Sequence, residues 1–358
     1  MKHSTTVSNI VPLWLDSGSD VALRYWLSII GLLISVALVA IVLSRLNWDV
    51  FWMTLRGVTA TSLVLAGLAL VGSLTIRATR WRLITVCGNG QHLNFQRATW
   101  IGYFANTILP LRAGEFMRVL AINRMTGVPV AQALTGAVVD RVSDVLMLGV
   151  SLIAVIAIHS RLLDNVSVNS TIISAMVIAG LAFLGFVSWR RLGRSVLARW
   201  VAWLPNRFRE KMPRWHDQSG LVVGRLREPG RVAVIAALTL LAVVTDYAAI
   251  WLVMQSLDWR MSLMAAVTVG VFLNTGMLLP AAPGYLGIYQ VACVFALGLY
   301  GVTEAEAVAY SVVLQLLVIS LLLVIGAGVV LSCSFWLTPA EARRQILVAA
   351  KAPEANGS

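Results

Sequence analysis

The stretch that most limits how this chain can fold is an apolar run that stops too early. Residues 100–109 are largely apolar but only about half as long as a bilayer-spanning helix requires. Pro110, Arg112, Gly114, Glu115 and Arg118 then follow in quick succession. In contact with lipid, the backbone groups freed by such a break would have no water to pair with. The break must therefore be enclosed by protein or line a cavity. A second interrupted zone, 263–300, carries Pro280, Pro283, Gly284 and Gly287 near its middle.

Composition supplies the membrane that this argument needs. The 358 residues are 59% hydrophobic and 12% charged, and soluble domains carry about twice that charged fraction. The expected class is an all-α polytopic membrane protein with one membrane domain over 25–332, an N-terminal segment 1–24 and a tail 333–358. Six segments have the length and apolarity of full spans: 25–44, 60–77, 134–158, 171–189, 232–254 and 307–332. Segment 1–24 is mixed and polar and does not resemble a cleavable signal peptide.

Net charge is +12, and the cations cluster beside apolar runs. That pattern fits anionic lipid at one membrane face and argues against nucleic acid. Segment 77–97 holds Arg77, Arg80, Arg82 and Arg97 with no acid, and 190–231 holds eleven Arg or Lys. Both segments and both termini are thus expected in the cytoplasm. An amphipathic piece at 194–204 should lie in the same interface. Cys87, Cys293 and Cys333 share no short spacing, and His3, His92, His159 and His216 join no ligand motif. No metal, cofactor or histidine-based nucleophile is expected.

For this topology to close, zone 98–130 must enter and leave on the cytoplasmic side, and zone 263–300 on the opposite side. Both then read as re-entrant hairpins. Gly102 to Thr107 in the first zone echoes Gly270 to Thr275 in the second. Each copy is followed by a proline (Pro110, Pro280) and, four residues later, a glycine (Gly114, Gly284). Gly127-Val128 likewise echoes Gly301-Val302. The expected architecture is two inverted repeats, about 25–158 and 171–332, whose broken helices meet near the midplane. Chance recurrence of small residues in apolar sequence is the alternative.

Charges at membrane depth mark the candidate site. Arg112, Glu115, Arg118, Asp140, Arg141 and Asp144 would cost on the order of 15–20 kcal/mol if all six faced lipid, so they must face inward, pair or meet a ligand. Arg112–Glu115, Glu115–Arg118 and Arg141–Asp144 are i,i+3 neighbours, and Asp140–Asp144 is an i,i+4 pair. The Asp140, Arg141 and Asp144 set suits a structural network and a ligand site equally well. Arg112, between Pro110 and Gly114 where a half-helix begins, has the chemistry of a phosphate-type anion site. Glu115 would compensate the helix dipole and orient Arg112. Asp246, in mid-span, is expected to pair with Arg112 or Arg141, with proton carriage as the other reading. The uncharged hairpin of Pro283, Gly284, Tyr285 and Gly287 would let a headgroup or acyl chain approach closely. Trp81, Trp100 and Trp259 fall near span ends, where indoles anchor.

These residues resemble the membrane domain of lysylphosphatidylglycerol synthases, a flippase-like family, across about 25–332. The resemblance rests on Arg77-x-x-Arg80-Trp81; Asn106 with Leu109-Pro110-x-Arg112-x-Gly114-Glu115-x-x-Arg118; Asp140-Arg141-x-x-Asp144; and Pro283-Gly284-x-x-Gly287. The family usually shows Glu-Arg at 140–141, and often an acid where this chain has Gln290. The resemblance implies a bacterial inner-membrane protein that moves a phosphate-headed lipid between leaflets without synthesising it. That lipid would be an aminoacyl-phospholipid, a hopanoid-type lipid or a polyprenyl-phosphate-linked one. Its partners would be anionic lipid and either further copies of the chain or envelope-pathway enzymes. A membrane scaffold is the rival reading, and a lipid-linked transferase using Asp140, Asp144 or Asp246 is the third.

Overall fold

A computed structural model describes residues 47–85, 90–109, 113–158, 212–277 and 283–333. Among these, ten α-helices and one short 3-10 turn form the fold, and no strand is present. In chain order they are α1 (Trp48–Arg56), α2 (Ala60–Thr85), α3 (His92–Ile108), α4 (Gly114–Thr126), α5 (Val130–Ile158), α6 (Met212–Arg225), α7 (Pro229–Ser256), α8 (Leu263–Gly276), α9 (Ile288–Gly298) and α10 (Glu304–Ser332). Four of them, α2, α5, α7 and α10, are long and apolar enough to cross a membrane.

Those four coincide with the expected spans at 60–77, 134–158, 232–254 and 307–332. The spans expected at 25–44 and 171–189, and the amphipathic piece 194–204, lie outside the described residues. Helix α2 differs most from expectation. It runs eight residues beyond 77, so Arg77 and Arg80 are helical and interior rather than part of a basic loop. Two helices also occupy segments expected as connections, α1 within 45–59 and α6 within 190–231.

Local chemistry sets the ends. Asn47 caps α1 by accepting the Val50 N–H at 3.3 Å. Thr303 and Glu306 form a reciprocal capping box that starts α10. Gly127, at φ +73°, closes α4 in the left-handed conformation that glycine tolerates best, and Gly301, at φ +78°, precedes α10 in the same way.

The sequence of helix lengths recurs. A long helix, two short ones and a second long one make up α2–α5 and again α7–α10, and α5 and α10 are both 29 residues long. The two interrupted zones become helix pairs, α3 with α4 and α8 with α9, each packed on itself. Helices α2 and α7 run along one another and form the most extensive helix contact. Gly72 there faces the Thr245 methyl, and the Ser73 hydroxyl donates to the Ala242 carbonyl at 3.3 Å. One core cluster gathers Tyr247, Met254, Cys293, Tyr310 and Leu314 between α7, α9 and α10. A second gathers Trp81, Phe95, Ile101 and Ile122 between α2, α3 and α4.

Close packing of α3 on α4 fixes the first pair. A Cβ added to Gly114 would overlap the Gly102 carbonyl oxygen, and one on Gly102 would meet Arg118. The two helices touch backbone to backbone, which only glycine permits here. The Asn106 side chain also accepts the Gly114 N–H at 2.8 Å. The first amide of α4 is thus already satisfied from within the protein.

Candidate functional site

Four arginines and four acids from α2, α4, α5 and α7 form one connected ion-pair network. On α2, Arg77 and Arg80 are one turn apart and share a face. Arg80 is fully buried. Its Nη2 lies 2.6 Å from Asp140 Oδ1 and 2.8 Å from Asp144 Oδ1, and its Nη1 donates to the Thr239 hydroxyl at 3.0 Å. Arg118 of α4 reaches the other Asp140 oxygen at 3.3 Å. Its guanidinium lies over the Trp81 ring at 4.7 Å, a cation–π contact within the protein interior. Trp81 is accordingly core, donating its indole N–H to the Ala133 carbonyl at 3.3 Å, and not the interfacial anchor expected from its position.

Outside this buried layer lies a second one. Arg77 spans Asp144 on α5 and Asp246 on α7, each at 2.6 Å. Glu115 lies 2.6 Å from Arg141 Nη2 and 2.8 Å from Arg118 Nε. Arg141 also meets Asp144 at 3.3 Å and donates to the Tyr103 hydroxyl at 3.4 Å, with its guanidinium 5.7 Å from that ring. Asp144 therefore contacts three arginines. The eight charges balance four against four.

This arrangement lowers the cost of ionised groups at depth. A buried charge is tolerated when it is paired and its hydrogen bonds are met. Arg80 and Asp140 satisfy both conditions.

The outer layer forms part of the wall of a cavity of about 330 Å³. Arg77, Glu115, Arg141, Asp144 and Asp246 supply its charge. Trp100, Tyr103 and Asn106 come from α3, Asn274 from α8, and Gly284, Tyr285 and Tyr289 from the second pair. Both interrupted zones thus contribute to one cavity, including the two asparagines that mark the internal echo. A wall with guanidinium, carboxylate, amide and aromatic groups suits a headgroup that carries a phosphate and further polar atoms.

The second pair is organised without charge. Gln290 Nε2 donates to Gln315 Oε1, Gln315 Nε2 donates to the Gly284 carbonyl, and the Gly287 N–H donates to Gln290 Oε1, all at 2.8 Å. Gly284 (φ +74°), Tyr285 (φ +57°) and Gly287 (φ +84°) hold left-handed backbone through this clasp. Tyr285 is the one whose side chain makes that conformation uncommon.

Of the expected site residues, Glu115, Arg118, Asp140, Arg141, Asp144 and Asp246 join the network. Gly284 and Tyr285 line the cavity, and Gly287 holds the turn. Pro283 belongs to the 3-10 turn Pro283–Tyr285. Arg112 lies outside the described residues, so its place beside Glu115 is not part of this geometry. The partner the structure gives Asp246 is Arg77, whereas Arg141 turns to Glu115 and Asp144. Sequence reasoning overlooked Arg77 and Arg80 as site residues because it counted them as loop cations. Their i,i+3 spacing directly after an apolar run was the available signal. Tyr103, Asn106, Asn274 and Gln315 were likewise not singled out as site residues.

The chain matches the family described as "Lysylphosphatidylglycerol synthase TM region" over residues 28–328. It is 24% identical over 304 residues to a protein of Methanothermobacter thermautotrophicus named "UPF0104 membrane protein", covering 80% of this chain and 89% of that one. It is also 27% identical over 352 residues to "Glycosyltransferase AglD" of Haloferax volcanii, covering 87% of this chain and 55% of that protein, little more than half its length.

Proposed function

The chain belongs to the lysylphosphatidylglycerol synthase TM region family, and from that premise we propose that it moves a lipid with a phosphate-containing headgroup between the leaflets of a membrane. The observation that carries this reading is the cavity wall. Paired charges drawn from α2, α4, α5 and α7, three of them helices long and apolar enough to span, meet residues from both interrupted zones around one partly open cavity. An ionisable residue within a spanning helix that faces a cavity is a functional-site hypothesis by default.

In this reading the fold has six full spans, with 25–44 and 171–189 as the further two. The pairs α3–α4 and α8–α9 are re-entrant, and the two halves are inverted repeats that rock to expose the cavity to each side. Both termini are cytoplasmic, in a bacterial inner membrane. The headgroup phosphate meets Arg141 on the cavity wall, and Arg112, two residues before α4 in the sequence, is the second candidate cation. Glu115, Asp144 and Asp246 position the arginines and accept any cationic group on the headgroup. Asn106, Asn274, Tyr103 and Tyr285 read its remaining polar atoms, while Arg118 and Asp140 hold the wall from behind.

The glycosyltransferase name of one relative favours a second reading, in which the chain serves a lipid-linked sugar transfer. Asp140, Asp144 and Asp246, the acids such a reaction would use as base, are all engaged by arginines, which supports transport instead.

The test is a vesicle assay. Purified protein in phosphatidylcholine vesicles with a trace of headgroup-quenchable fluorescent phosphatidylglycerol should speed leaflet exchange. Arg141→Ala and Arg112→Ala should each slow it at least tenfold while remaining monodisperse. Wild-type exchange no faster than protein-free vesicles, or unchanged exchange in both variants, overturns the proposal. Native mass spectrometry of the same samples would identify any lipid that wild type retains and Arg141→Ala loses.

A further inference from the structure

A second recess lies directly outside the cavity. It runs between α4 and α5, has a volume of about 330 Å³, and is lined by apolar side chains apart from Glu115 and Arg141. Leu134, Val138, Val142 and Val145 follow helical spacing along one face of α5. From residue 134 to residue 146 that stripe extends about 18 Å, close to the roughly 15 Å of hydrocarbon in one leaflet. Phe116, Val138 and Leu146 on its rim are exposed to the surroundings of the helix bundle.

Glu115, Arg141 and Val145 line both the groove and the central cavity. Glu115 and Arg141, paired at 2.6 Å, thus face the groove on one side and the cavity on the other. An apolar trough that ends sideways at an ion pair, with a polar chamber behind it, matches a molecule with a hydrocarbon chain attached to a charged head. Bulk lipid alone would need no such continuity.

We propose that the α4–α5 groove is a binding site for one acyl chain of a glycerophospholipid, and that the Glu115–Arg141 pair is the lateral threshold at which the headgroup passes into the cavity. This inference rests on the transport reading above and adds to it the route of access and the place of the acyl chain. The chain stays in the groove, in contact with the bilayer, while the head crosses the threshold.

A photo-crosslinking experiment tests it. Full-length protein is reconstituted in phosphatidylcholine vesicles containing a minor fraction of phosphatidylglycerol with a diazirine midway along one acyl chain. After irradiation, adducts are mapped by peptide mass spectrometry. The exposed face of α10 around Val324 and Leu331 reports ordinary annular lipid. Groove peptides covering 134–146 should be labelled at least fivefold above that face. Val138→Trp, which fills the groove from an exposed position, should bring labelling to the annular level and slow exchange at least tenfold. Leu146→Trp, exposed to the same degree, serves if the first variant fails to fold.

Equal labelling of groove and α10 face in wild type overturns the inference. If Arg141→Ala still abolishes exchange in that case, the transport reading stands without it. Strong groove labelling without any exchange leaves the chain site standing and removes transport.

Discussion

Arg77 and Asp246 hold matching positions on the two helices that pack along each other, and they pair with each other. Arg77 lies 17 residues after Ala60, the first residue of α2, and Asp246 lies 17 residues after Pro229, the first of α7. Arg77 Nη2 meets Asp246 Oδ2 at 2.6 Å. The two helices run antiparallel, with Thr59 meeting Ser256 at one end and Leu83 meeting Arg231 at the other, and a cation from one joins an anion from the other across that contact.

That pair should couple measurably. Arg77→Ala removes the cation that holds Asp246, and Asp246→Ala removes one of the two acids that hold Arg77. A double-mutant cycle on thermal or denaturant unfolding in detergent should give a coupling energy of about 1–2 kcal/mol, reduced by the 28% exposure of the Asp246 side chain. Strict additivity of the two single changes would mean that the contact contributes nothing.

The acids should rank by enclosure. The Asp140 side chain is 2% exposed and faces both Arg80 and Arg118. Asp140→Asn leaves two buried guanidiniums short of charge and should cost roughly 3–5 kcal/mol. Asp246→Asn, at a partly open site, should cost about 1 kcal/mol. Monodisperse yield and unfolding midpoint after extraction would check the order, and the reverse order would contradict the two-layer arrangement.

Gly114 should be irreplaceable where Gly328 is not. Nothing lies within 4 Å of a Cβ at Gly328, whereas a Cβ at Gly114 overlaps the Gly102 carbonyl and the Asn106 amide. Gly114→Ala should therefore destabilise by at least about 2–3 kcal/mol through forced separation of α3 and α4. Gly328→Ala should be neutral or slightly stabilising, since alanine is the better helix former. Expression of folded protein, compared side by side, decides this.

The glutamine clasp gives a local readout. Gln315→Leu strands the Gly284 carbonyl and the Gln290 amide, at a cost of about 1–3 kcal/mol. Amide hydrogen exchange at 284–288 should rise in this variant while exchange in α5 stays as in wild type. Faster exchange across the whole protein would mean that the clasp supports the fold globally.

Much of the helix layout was legible in the sequence, because span length and backbone breakers act locally. Gly114 opens α4 and Gly284 lies between α8 and α9, the two places where the interrupted zones divide into short helices. The ion pairs at i,i+3 spacing, Glu115–Arg118 and Arg141–Asp144, were legible for the same reason. Arg77 and Arg80 were misread because cations at the end of an apolar run look like a cytoplasmic loop until their partners are known. Asp246 lies 169 residues from Arg77, and Asp140 lies 60 from Arg80. Helical periodicity places a side chain on a face but does not say which distant helix that face will meet. Gln315 was overlooked because a lone amide in a long apolar helix carries no pattern, and its role depends on the Gly284 carbonyl across the gap.

The four-to-four balance of the network also bears on what can drive the protein. Carrying one elementary charge through a 100 mV membrane potential is worth about 2.3 kcal/mol. Where these eight side chains move as one unit they sum to zero, so the network itself adds no gating charge. The network's own contribution being nil, the charge of the cargo becomes what a voltage measurement would read. A neutral, zwitterionic headgroup would cross at the same rate at any potential, and an anionic one would be drawn toward the positive side.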